Sequence, residues 1–122
     1  YGRLGTAVSQ SSGIFTLPST GIWLILLNFA FDEGGSGADT SMHAYIRTTT
    51  DNSSYNDAAE GRASFTGSNA RQGADCAFVF DVTDTTTHKV QASVDGILSS
   101  NNTMGSSTQN TSALTFIRLG DT

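Results

Sequence analysis

The chain has 122 residues, of which 37% are hydrophobic and only 14% charged, with a formal net charge of −5. That length fits one domain with a modest core, and the low charge with many β-branched residues excludes a disordered segment. The acidity excludes an electrostatic footprint for nucleic acid, and no run approaches the roughly 18 apolar residues of a membrane-inserted helix.

Polarity here comes from Ser, Thr, Asn and Gly, a composition that favours short strands joined by turns over long helices. In chain order the pattern predicts strands at 4–9, 13–17, 22–31, 42–50, 61–66, 75–82, 87–95 and 112–119. A turn on Pro18 separates the second from the third. Between the others lie "DEGGSGAD" (32–39), "DNSSYNDAAEG" (51–61), "SNARQG" (68–73) and "DGILSSNNTMGSSTQN" (95–110). "YNDAAEGR" has room for one helical turn, which Gly61 would stop.

The strands are of two kinds. In 42–48, Met42, Ala44 and Ile46 oppose His43, Tyr45 and Arg47; in 87–95, His88, Val90, Ala92 and Val94 oppose Lys89, Gln91, Ser93 and Asp95. Such strands put one face on a core and one in water. The other kind is apolar on both faces. Trp23, Ile25, Leu27, Phe29 and Phe31 oppose Ile22, Leu24 and Leu26. Cys76, Phe78, Phe80 and Val82 oppose Ala77 and Val79, while Leu114 and Phe116 oppose Ala113, Ile117 and Leu119. A sheet of these strands needs a cover on each side, and the chain has no helix to supply the second. The economical cover is another copy of the chain, with Ile22, Leu24, Leu26, Ala77, Val79, Ile117 and Leu119 at the contact.

The stretch "GIFTLPSTGIWLI" resembles a motif of the C1q/tumour-necrosis-factor superfamily: a short Phe-Thr strand, a Pro-containing turn, then a Gly-x-aromatic strand. Phe15, Thr16, Pro18, Gly21 and Trp23 fill the matching positions, and "SALTFIRLGDT" is similar to the family's last strand, with Phe116 at its aromatic. The resemblance covers about residues 13–119. It implies an all-β, antiparallel, two-sheet jelly roll that forms a trimer, with the strands matching 22–31, 75–82 and 112–119 in the sheet that packs against neighbouring protomers. Two features depart from it. The family's first strand has no match, and Trp23 stands where a tyrosine is common. A start at Tyr1 without a signal peptide leads us to expect one domain, 1–122, at the C-terminal end of a longer chain. In style the chain is most similar to C1q-like heads of bacteriophage fibres and other virion appendages.

Tests for chemistry find no catalytic set. His88 falls on an apolar strand face and His43 on a polar one; Cys76 reads as a core residue, and one cysteine excludes an internal disulfide. Glu33 and Glu60 both read as loop residues, and Asp51, Asp57 and Asp95 as turn residues. Asp32, Glu33 and Asp39 are weak calcium candidates outside any EF-hand pattern, and no cofactor is expected. Asn52, Asn101 and Asn110 begin N-x-S/T triplets of the kind a Ser/Thr/Asn-rich chain produces by chance.

The expectation is a non-enzymatic trimeric head on a virion surface, bound to itself and to other virion proteins. Loops 32–41, 51–60 and 96–111 would meet a host-surface receptor or glycan, through Asn52, Tyr55, Asn56, Asn101, Asn102 and Met104. The rivals are an extracellular recognition or signalling ligand on a stalk and a purely structural capsid decoration.

Overall fold

A computed structural model of the protein describes residues 4–34, 41–65, 67, 69–97 and 101–122. The "GIFTLPSTGIWLI" stretch starts the architecture. A two-residue turn at Ser12 and Gly13 joins β1 (Ser9–Ser11) to β2 (Ile14–Thr16). Leu17 is then fully buried, and the indole of Trp23 donates to the Ser19 carbonyl at 3.2 Å, pinning the Pro18 turn. Gly21 opens β3 (Gly21–Asp32) at φ +134, and a Cβ there would sit 2.4 Å from the Gly120 carbonyl oxygen. No other residue fits both the space and the dihedral.

β3 is the middle of a four-stranded antiparallel sheet. Along its whole length it pairs with β6 (Arg71–Val82). Its other edge is shared by β9 (Ala113–Gly120), which covers Ile22 to Asn28, and the short β8 (Asn102–Thr103), which covers Phe31 and Asp32. In the gap between them, Ser112 acts as a latch. The Ala30 N–H donates to Ser112 Oγ at 3.0 Å, and that hydroxyl donates to the Met104 carbonyl at 2.6 Å. The Met104 N–H returns to the Ala30 carbonyl at 2.8 Å. Both backbone groups of Ala30 are therefore paired at the seam.

The second sheet has five strands in the order β1-β2-β7-β4-β5, with β4 at Ser41–Thr49, β5 at Asn56–Ser64 and β7 at Lys89–Asp95. Met42, Ala44, Ile46, Ala63 and Val90 point inward and join Trp23, Ile25, Leu27, Phe31, Ala74, Phe80 and Val82 in one core cluster. Phe15 of one sheet meets Phe116 of the other at 5.6 Å between ring centres. The chain is thus an all-β, two-sheet antiparallel fold.

Several expectations are corrected. Residues 56–60 form the first half of β5 rather than a loop or a helical turn. A bulge at Ala58, opposite the Ile46–Arg47 step, breaks the strict alternation that marks a strand in sequence. Gly61 does not stop a helix; it lets β5 touch β6, since a Cβ there would lie 2.6 Å from the Asp75 carbonyl oxygen. Residues 71–73, expected as loop, extend β6 along the end of β3. Strand structure near the N-terminus begins at Ser9, not residue 4, and Leu4 is fully exposed. His88 lies before β7 and stacks on Phe80 at 5.6 Å, and Lys89 is buried, its ammonium on the Thr85 carbonyl at 2.5 Å.

Candidate functional site

The inner faces of both sheets are spent on the core, so function is left to the outer faces and the loops. On the four-stranded sheet the register places Val79, Leu24 and Ile117 in one row and Ala77, Leu26 and Thr115 in the next. Ile22 lies beyond Leu24, with Leu119 at a bulge beside it. Leu26 is 38% exposed, Ile117 43%, Val79 54% and Leu119 57%. Carboxylates end the stripe: Asp81 pairs with Ile22 at one end and Asp75 with Asn28 at the other. A depression of about 470 Å³ at the Asp75 end is lined by Leu26, Asn28, Cys76, Ala77 and Thr115 among others. Burial pushes the Cys76 thiol up, so it stays neutral and unreactive at ordinary pH.

The five-stranded sheet turns a different face outward. β4 offers His43, Tyr45 and Arg47, and the register sets Asp95 and Ser93 of β7 on one side and Arg62, Glu60 and Asp57 of β5 on the other. These groups pair among themselves. Glu60 Oε1 meets His43 Nδ1 at 2.5 Å and Arg62 Nε at 2.9 Å, while Arg47 Nε reaches Asp57 at 2.7 Å. Arg62 first, then His43, hold the Glu60 carboxyl down to about 2. Desolvation, then Glu60, raise the Tyr45 hydroxyl, which remains a neutral donor.

No family model and no curated protein matches the chain. The site therefore rests on its own geometry.

The loop residues expected to meet a receptor fall in different settings. At the β4–β5 turn, Asp51 accepts from the Ser54 N–H, from Thr49 Oγ1 and from the Ser53 N–H at 2.7–2.8 Å, which in that order hold its carboxyl far below the usual range. Asn52 sits exposed at this turn with φ 58, and Asn56 is already paired in β5. Tyr55 is half-buried, and its enclosed hydroxyl has no hydrogen-bond partner among the described residues. Asn101 is buried, Asn102 pairs with Asp32, and Met104 is tied by its backbone to Ala30. Residues 105–110 remain exposed.

The calcium candidates diverge. Asp32 pairs with Arg71 at 3.1 Å. Glu33 is fully buried and accepts from the Asn69 N–H at 2.9 Å, and Asp39 lies outside the described residues. Among the described residues no three His, Cys, Asp or Glu side chains converge on a metal position. Sequence reasoning missed the polar face as a site. It read β4 and β7 as alternating, but their pairing, which sets Tyr45 opposite Ser93, was the missing signal.

Proposed function

We infer that the chain is a C1q/tumour-necrosis-factor-like jelly roll that assembles with copies of itself through the outer face of the four-stranded sheet, as a non-enzymatic trimeric head of a virion fibre or decoration. The strand orders 1-2-7-4-5 and 6-3-9 support the jelly roll, because the chain crosses between the sheets from β2 to β3, β3 to β4, β5 to β6, β6 to β7 and β7 to β8, with β4–β5 kept as neighbours in one sheet. The observation that carries the assembly is the set Leu26, Val79, Ile117 and Leu119, large aliphatic side chains left exposed on or beside one sheet face. Full burial of each is worth about 1.5–3 kcal/mol, so covering the exposed part of all four stabilises a complex by about 3–5 kcal/mol per protomer. A trimer, rather than the commoner dimer, is supported by the resemblance of residues 13–31 to the superfamily motif. The virion setting is supported by the similarity in style to phage fibre heads.

The head's work is attachment by avidity: three copies of a weak site at fixed spacing bind far more tightly than one. Light scattering at micromolar concentration tests the assembly. The expected mass is three times the 12.8 kDa of one chain. A stable monomer at that concentration contradicts the reading. Adsorption of the assembled protein to host cells separates an attachment head from a purely structural decoration, which would not adsorb.

A further inference from the structure

The outer face of the five-stranded sheet holds a hollow that assembly does not use. It has a volume of about 300 Å³ and is lined by Tyr45, Arg47, Asp57, Ser93, Val94 and Asp95. Its origin is the register. The small Ser93 stands opposite Tyr45, with the longer Gln91 and Asp95 on either side of it along β7. The walls are held in place from behind. Arg47 Nε donates to Asp57 at 2.7 Å, and Nη2 reaches the Tyr55 carbonyl at 3.5 Å. The Tyr45 hydroxyl meets His43 Nδ1 at 3.1 Å, and His43 is itself fixed by Glu60 and by Ser41 Oγ at 3.1 Å. Asp95 gives one oxygen to the Gly96 N–H at 2.7 Å.

Charge narrows the ligand. The one cation of the lining, Arg47, is already paired with Asp57, and Asp95 has no ion-pair partner among the described residues. An anion would meet two carboxylates and a guanidinium already engaged, within a chain of net charge −5. Among the described residues a metal cation would find only Asp95 free to bind it, and no three carboxyl, His or Cys side chains converge to hold one. A neutral ligand with paired hydroxyls meets neither obstacle. Carboxylates accept two hydroxyl hydrogens side by side, a guanidinium donates two N–H groups in a fork, and a tyrosine ring covers an apolar C–H face.

We propose that this hollow is a carbohydrate site that takes one ring of an uncharged glycan, with Asp95 and Arg47 on neighbouring hydroxyls and Tyr45 against the ring. Its size lies at the low end of ligand pockets and it opens to solvent, so each site binds in the millimolar range. Pre-set side chains keep the ordering cost small. The proposal names the partner chemistry for the attachment reading and moves recognition from the loops to β4, β5 and β7. Binding of one ring does not require assembly; only avidity does.

The test is an amide-resolved NMR titration of the full chain with glucose, galactose, mannose, fucose and N-acetylglucosamine, and with sialic acid as the charged counterpart. At least one neutral sugar should give saturable shifts centred on Tyr45, Arg47, Asp57, Ser93 and Asp95, with sialic acid at least about ten-fold weaker. Ser93→Trp, which fills the hollow, should abolish those shifts while the melting temperature and the light-scattering mass stay unchanged. Asp95→Asn, on an exposed strand end, provides a second variant and should weaken binding about ten-fold by replacing the charged acceptor. No saturable shift with any neutral sugar, or shifts that survive Ser93→Trp, overturns the proposal. Because mass is read separately, a failed titration leaves the assembly reading standing, and a monomeric mass leaves the titration interpretable.

Discussion

On the outer face of β4 the side chains run His43, Tyr45, Arg47; on the outer face of β3 they run Ile22, Leu24, Leu26. Both strands are central in their sheets, and both bury their opposite face completely or nearly so. The five-stranded sheet satisfies its exterior within the chain, through Glu60 with His43 and Arg62 and through Arg47 with Asp57. The four-stranded sheet leaves aliphatic surface that no other described residue covers. A strand's inward face reports only that a core exists. Its outward face differs with the sheet, polar and paired within the chain in one case and aliphatic in the other.

The comparison breaks most severely if a charge enters on the inward side of β3. Ile25 is fully buried between Phe78 and Phe116 in the register, and Ile25→Asp should remove the cooperative melting transition altogether, a cost above about 4 kcal/mol. Next comes the place where the sheets' edges meet. Gly61→Val drives a side chain into the Asp75 backbone and should lower stability by about 2–3 kcal/mol in urea melts, with the outer faces untouched. Ser112→Ala opens the seam on β3. It should cost about 1–2 kcal/mol and speed hydrogen exchange at Ala30 and Met104 above all other amides of the sheet.

The smallest effect sharpens the polar side. The folded-state pKa of Glu60 is depressed from 4.5 to about 2, so its contribution is present above pH 4.5 and is lost as pH falls towards 2. Asp51 and Asp84, also lowered, act in the same direction. Thermal melts should therefore show stability declining through that window, and Glu60→Gln should flatten the decline.

Much of this was legible in the sequence because period two survives wherever a strand is regular. Trp23, Ile25 and Leu27 on one face with Leu24 and Leu26 on the other followed from alternation, and the longer apolar row marked the inward side; Met42, Ala44 and Ile46 against His43, Tyr45 and Arg47 followed likewise. The second half of β5 was legible as a strand at 61–66, but its first half, residues 56–60, was not, because it is built from Asn, Asp, Ala and Glu and is interrupted by the Ala58 bulge. Its strand state comes from pairing with β4, not from propensity. Glu33 read as a loop carboxylate because burial through a partner 36 residues away leaves no local mark. The hollow at Tyr45 was hidden for the same reason. It belongs to the register between β4, β5 and β7, which no single strand specifies.

Leu24 tests the central claim, that the outer face of β3 is an assembly surface, more directly than any other residue. It is half-buried between Val79 and Ile117, and its neighbours along the strand, Trp23 and Ile25, point into the core. Light scattering and near-ultraviolet circular dichroism of Leu24→Asp, beside the unaltered protein, read assembly and fold separately. The account predicts that the mass falls from three chains to one while the aromatic signal of Trp23 and Phe80 is kept. A Leu24→Asp protein that remains at the mass of three chains contradicts it.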